Sequence, residues 1–104
     1  MLNQIQIDEI CQTIRDGLDP LKIVLFGSYA AGRQTEGSDL DLLVVARTEL
    51  ERPRRYAQVR RLLKDYPSAF DLVVKTPEEY ARLRTVVNNI VYFADKYGKV
   101  IYER

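Results

Sequence analysis

Asp39 and Asp41 stand two residues apart at the mouth of an apolar run, Leu42 to Ala46. A strand repeats its side-chain direction every two residues, so a strand over 39–46 sends both carboxylates off one face. Two like charges held together cost stability unless a cation or a proton offsets them. Carboxylates in that arrangement suit divalent metal, and through it phosphoryl or nucleotidyl transfer. Ten residues separate this pair from Gly27-Ser28, a turn that closes the earlier apolar run Leu21 to Phe26. Each half has a plain alternative, since Ser38-Asp39 and Gly27-Ser28 both read as ordinary turn chemistry. It is their order, each attached to its own apolar strand, that favours a site.

Composition narrows the chemistry. The 104 residues carry no histidine, which excludes Ser-His-Asp and Cys-His catalysis and any histidine zinc site. The single cysteine, Cys11, cannot form an internal disulfide and fits a reducing, cytoplasmic setting. Hydrophobic content of 46% and charged content of 30% are those of an ordinary soluble domain. The length suits one domain, residues 1–104, with a modest core. A net charge of +1 gives no general drive toward nucleic acid and argues against direct nucleic-acid binding. No apolar run approaches the roughly 20 residues of a membrane span, and Met1 to Gln6 lacks the features of a secretory signal.

The elements that must position the aspartates alternate between helical and strand periods. Ile7, Ile10, Cys11, Ile14 and Leu18 predict a first helix, with Gly17 placed to end it. Asp19-Pro20 turns the chain into a strand at about 22–26. A short helix follows Ser28 and ends at Gly32. A polar turn over 35–38 leads to a strand at 39–46. Residues 51–65 read as a helix with Pro53 in its first turn and Tyr56, Val59, Leu62 or Leu63, and Tyr66 as its apolar stripe. A third strand covers about 69–75. Thr76-Pro77-Glu78-Glu79 is a capping box that starts another helix, broken near Thr85 and ended by Gly98. Val100 to Tyr102 reads as a short last strand. This α-β alternation implies an α/β fold, a sheet covered by helices.

Gly27-Ser28, ten residues, then Asp39-Leu40-Asp41 resembles the signature of the DNA polymerase β-like nucleotidyltransferase superfamily, and among its members the minimal, MNT-type nucleotidyltransferases. The resemblance runs from Ile23 to Glu103, specific in the signature and a matter of pattern elsewhere. It implies a mixed sheet of about four strands with the active site at one end. It also implies a third carboxylate on a later strand, and Asp71 in Phe70-Asp71-Leu72-Val73-Val74 is the candidate. A charge in such a run is costly to bury unless it is paired or binds metal. The plain alternative puts Asp71 in water at the strand entrance.

What the resemblance implies can be written as chemistry. Asp39, Asp41 and Asp71 would hold two Mg²⁺ ions, with ATP as substrate and Asp71 nearest to receive the acceptor's proton. Gly27, Ser28, Arg33 and Ser38 would bind the nucleotide. Gly27 lets backbone approach phosphate, and Ser28 donates from its hydroxyl and N–H. Arg33 reads equally as a phosphate contact or as a solvated cation at a helix end. Relatives often carry a basic residue after Gly-Ser, where this chain has Tyr29. Members of the family are often antitoxins of a HEPN-domain toxin, and some transfer AMP onto a toxin tyrosine. The expected function is therefore a Mg-dependent adenylyltransferase antitoxin whose acceptor arrives on another polypeptide. Competing readings are an antitoxin that works by occlusion alone and a catalytic subunit for a small acceptor such as an aminoglycoside. The cluster Arg52, Arg54, Arg55, Arg60, Arg61 and Lys64 reads first as a solvated helix face and second as a surface for an anionic partner. Tyr92, Tyr97 and Tyr102 are expected in the core.

Overall fold

The apolar runs are continuous because the sheet they form is covered on both faces. In the computed structural model, which describes Met1 to Arg104, the elements follow as α1 (Gln4–Leu18), β1 (Lys22–Phe26), α2 (Gly27–Ala31), β2 (Leu40–Val45), α3 (Arg52–Leu62), β3 (Phe70–Lys75), α4 (Pro77–Leu83), α5 (Ile90–Tyr97) and β4 (Lys99–Glu103). The four strands make one mixed sheet in the order β3-β2-β1-β4. β1 runs antiparallel to both β2 and β4, and β2 runs parallel to β3. Helix α3 is the crossover that a parallel pair requires.

Strand alternation assigns each residue to one of two cores. Ile23 and Leu25 of β1, with Leu40, Leu42 and Val44 of the β2 region, pack against Ile10 and Ile14 of α1 and Val59 and Leu63 of the α3 region. Val24 and Phe26, with Leu43 and Val45, face the other way and pack against Tyr80 of α4 and Val91 and Ala94 of α5. Asp39, Asp41 and Asp71 share the odd-numbered parity of Leu43 and Val73. They therefore belong to the face that α4 and α5 cover.

Several details differ from the sequence expectations. Helix α1 continues through Gly17 to Leu18, and Asp19, at φ 49°, supplies the left-handed cap. Gly17 serves packing, because a Cβ there would lie 2.7 Å from Leu62 Cδ2. The start of α1 is fixed by a capping box from Asn3 to Gln6 that the sequence reading passed over. The expected break near Thr85 separates α4 from α5. The inner stripe of α3 is Arg55, Val59 and the following Leu63, whereas Tyr56 is exposed. Both residues neighbour Val59 on the helix, and it is Arg55 that finds buried partners. Arg55 thus leaves the basic solvent face to which it was assigned. Its Nη1 donates to Glu79 Oε1 at 2.6 Å and its Nε to the Leu50 carbonyl at 2.7 Å. Tyr97 is also not a core residue: it is 68% exposed, while Tyr92 and Tyr102 are half-buried.

Candidate active site

Pairing between the two parallel strands puts Asp41 of β2 directly opposite Asp71 of β3. Both carboxylates leave the same face at adjacent strands, within hydrogen-bond reach of each other. Asp39 lies one residue before β2 rather than inside it, exposed, and acts on Asp41 through its charge. Asp41 is half-buried and Asp71 exposed. Burial, then the charges of Asp71 and Asp39, push the Asp41 carboxyl up to about 6. Burial disfavours the charged form first, and the neighbouring acids add to that cost. No three acidic side chains converge closely enough to form a complete ion cage.

The donor set nonetheless fits a hard divalent cation. Mg²⁺ prefers oxygen donors and is usually held by one or two carboxylates, with water and substrate phosphates filling the other positions. Asp41 and Asp71 supply the paired carboxylates, and Asp39 stands beside them as a third. A cation there would relieve the repulsion that raises Asp41.

Gly27 belongs to this site for a reason the sequence did not disclose. On the other side of β2, Phe26 of β1 pairs with Asp41, so the turn at Gly27 passes against the Asp41 carboxylate. Gly27 adopts φ 72°, a left-handed conformation that L side chains avoid. A Cβ at this position would collide with Asp41 Oδ2 and lie 2.9 Å from its Cγ. Glycine is needed where the chain must pass Asp41, whatever it also contributes toward phosphate.

Ser28 and Arg33 lie with Gly27 along one cleft of about 500 Å³, bracketing α2. Gly32, at φ 70°, ends that short helix as expected, and the Arg33 N–H donates to the Ser28 carbonyl at 2.9 Å. Ser38 is placed elsewhere. Its hydroxyl accepts from the Thr35 N–H at 2.9 Å and its own N–H donates to the Thr35 carbonyl at 3.0 Å. Ser38 therefore locks the turn that delivers Asp39. Tyr29, directly after Gly27-Ser28, where the resemblance implies a basic residue, points away from the cleft into the core. Its hydroxyl accepts from the Leu2 N–H at 3.0 Å, which ties the N-terminal segment to α2. With Tyr29 committed to packing, Ser28 and Arg33 are the polar side chains at the Gly27 end of the cleft.

The nucleotidyltransferase domain family matches residues 5–96, and the chain belongs to that family. Within it, the likeness is to the MntA type of protein adenylyltransferase. A candidate protein adenylyltransferase of Methanocaldococcus jannaschii is 43% identical over 67 residues, covering 62% of this chain and 43% of that protein. Protein adenylyltransferase MntA of Shewanella oneidensis is 33% identical over 73 residues, covering 69% of this chain and 52% of that protein. The chain spans about half the length of these two relatives. Among solved structures, a toxin–antitoxin crystallised with AMP-PNP matches with a TM-score of 0.71 at 28% identity, over 93% of this chain and 73% of that one. A mutant MntA–HpeT toxin–antitoxin matches at 0.70 and 26%, over 99% and 75%. No helix is long and apolar enough to cross a membrane.

Proposed function

We propose that this protein is a Mg-dependent adenylyltransferase that moves AMP from ATP onto a protein acceptor, a HEPN-type toxin carried on another polypeptide, and so acts as its antitoxin. The observation that carries the reading is the Asp41–Asp71 pair, opposed in register, with Asp41 raised to about 6 by burial and by the charges of Asp71 and Asp39. A carboxylate pair is costly to a fold and serves no packing purpose here. Its placement at one strand end beside a glycine turn is what metal-assisted transfer needs. Similarity to MntA, and to a toxin–antitoxin crystallised with an ATP analogue, supports both the nucleotide and the partner class.

Asp41 and Asp71, with Asp39 beside them, would hold the metal, which would supply charge neutralisation at the phosphates and a lower pKa for the acceptor hydroxyl. The chain's own residues do the rest. Ser28 and Arg33 hold the β- and γ-phosphates so that the α-phosphorus faces the carboxylates. The acceptor oxygen bonds to the α-phosphorus as the bond to the α,β-bridging oxygen breaks, and pyrophosphate leaves. Asp71, the exposed member of the pair, takes the acceptor's proton.

The test is transfer of label from α-labelled ATP with Mg²⁺ to the co-expressed partner, wild type beside Asp41→Ala. Label on the partner that disappears in a variant with an unchanged melting curve is the expected result. Full activity in Asp41→Ala overturns the mechanism. A stable complex with no label from any of the four nucleoside triphosphates leaves occlusion as the better account.

A further inference from the structure

The cleft that holds Gly27, Ser28 and Arg33 has a second wall, formed by Phe93 and Tyr97 of α5. The two rings stack on each other, centroids 6.3 Å apart and planes inclined by 20°. They stay in solvent, Phe93 42% and Tyr97 68% exposed, although α5 buries Val91 and Ala94 fully against the sheet. Packing therefore does not account for them: the helix is anchored by its other face. Two adjacent exposed aromatic rings leave apolar area in water that a flat, apolar-faced ligand would cover. The cleft volume is within the range of small-ligand sites.

The chemistry of the two walls is complementary to a nucleotide. One wall offers a hydroxyl and a guanidinium, which suit phosphate. The other offers π-faces, which suit a base. The same α5 covers the sheet face from which Asp41 and Asp71 project, so phosphates laid toward Gly27 and a base laid on α5 stay on the catalytic side of the sheet. The polar groups at the aromatic wall are the Tyr97 hydroxyl and the Lys96 ammonium, and Lys96 Nζ already donates to the Tyr92 hydroxyl at 3.1 Å. Lys96 sits 5.5 Å from the Tyr97 ring centroid and leaves a cation beside the ring.

We infer that Phe93 and Tyr97 form the nucleobase platform of this cleft, holding the base by stacking and accepting all four bases with similar affinity. The inference rests on the nucleotidyltransferase reading and specifies how that site holds its substrate. Stacking is tolerant because every base has a π-face, whereas discrimination needs hydrogen bonds to base edges.

The test compares ATP, GTP, CTP, UTP and inorganic tripolyphosphate, each titrated calorimetrically with Mg²⁺ into the full chain. Wild type should bind the four nucleotides within a few-fold of one another. Phe93→Ala/Tyr97→Ala should weaken ATP by roughly tenfold or more and leave tripolyphosphate unchanged. Because the chain has no tryptophan, Phe93→Trp adds a direct reporter: its fluorescence should be quenched by ATP and not by tripolyphosphate. Unchanged ATP affinity in the double variant overturns the platform while leaving the transferase reading intact. Equal losses for ATP and tripolyphosphate also overturn it, since they indicate damage to the whole cleft. A wild type that binds neither ligand removes the transferase reading and the platform with it.

Discussion

Gly27→Ala tests the tie between the turn and the carboxylates, because it disturbs two things that can be separated. The first is backbone strain. Gly27 sits at φ 72°, where an L residue costs roughly 1–2 kcal/mol. The second is collision. The new Cβ would overlap Asp41 Oδ2, and the rest of that side chain leaves little room, with Cγ at 2.9 Å and Cβ at 3.3 Å. The carboxylate must swing out of its rotamer, at about 0.5–1.5 kcal/mol. The sum is about 1.5–3.5 kcal/mol, which for a domain of this size lowers Tm by roughly 6 °C or more. A displacement of about 1 Å at a reacting group can cost on the order of a hundredfold in rate, so label transfer should fall by about that factor. In an Asp41→Ala background the carboxylate is gone and only the strain remains. Gly27→Ala should then cost about 1–2 kcal/mol, leaving a coupling of about 1 kcal/mol between the two positions. Denaturant unfolding of the four proteins measures it. Strict additivity, or a fully active Gly27→Ala enzyme, would refute the claim that Asp41 dictates the glycine.

Three other outcomes follow from the same geometry. Burial alone would raise the Glu79 carboxyl, but the Thr76 N–H and Arg55 outweigh it and hold it at about 2, below its ordinary 4.5. Its stabilising effect is complete above about 4.5 and fades as pH falls toward about 2, so Arg55→Ala should lose about 2–3 kcal/mol at neutral pH, measured by urea unfolding, and show a weaker acid dependence over that window. Tyr29→Phe strands the buried Leu2 N–H and should cost about 1–2 kcal/mol by thermal unfolding, with no change in affinity for Mg-ATP, because Tyr29 faces the core. Arg33→Ala should raise the Kd for tripolyphosphate by about tenfold, as expected of a charge-assisted phosphate contact; an unchanged Kd would assign Arg33 to solvent.

The sequence disclosed most where the physics is local. The strands, the Thr76–Glu79 capping box and the Gly32 stop each depend on residues within four positions, and each appears where expected. What it concealed spans distance. The Arg55–Glu79 bridge joins residues 24 apart and the Tyr29–Leu2 bond residues 27 apart. Neither leaves a periodic trace. Tyr56 looked like the better inner residue of α3 because it is apolar and three residues from Val59, yet a distant partner on α4 made burial of the Arg55 guanidinium tolerable. The aspartates were legible for the opposite reason: they break the apolar pattern. Their register across the parallel pair, and with it the contact between Asp41 and Gly27, depends on strand order, which periodicity does not encode.

The position of the carboxylates explains how a small domain tolerates them. A sheet buried on both faces leaves little freedom to the middle of β2, where Leu42, Leu43 and Val44 are fully enclosed. Like charges in that stretch would face several kcal/mol of desolvation. At the strand's first residues the same charges reach water from one side, and Asp39 and Asp71 are indeed exposed while Asp41 alone is half-buried. The rigid middle of β2 then serves the mobile chemistry at its end. Register with Phe26 on one side and Asp71 on the other fixes the position of Asp41, as the proposed transfer requires. Burial and repulsion together destabilise the Asp41 carboxylate, and under the proposed function a bound cation would recover part of that energy, coupling metal affinity to the stability of the fold.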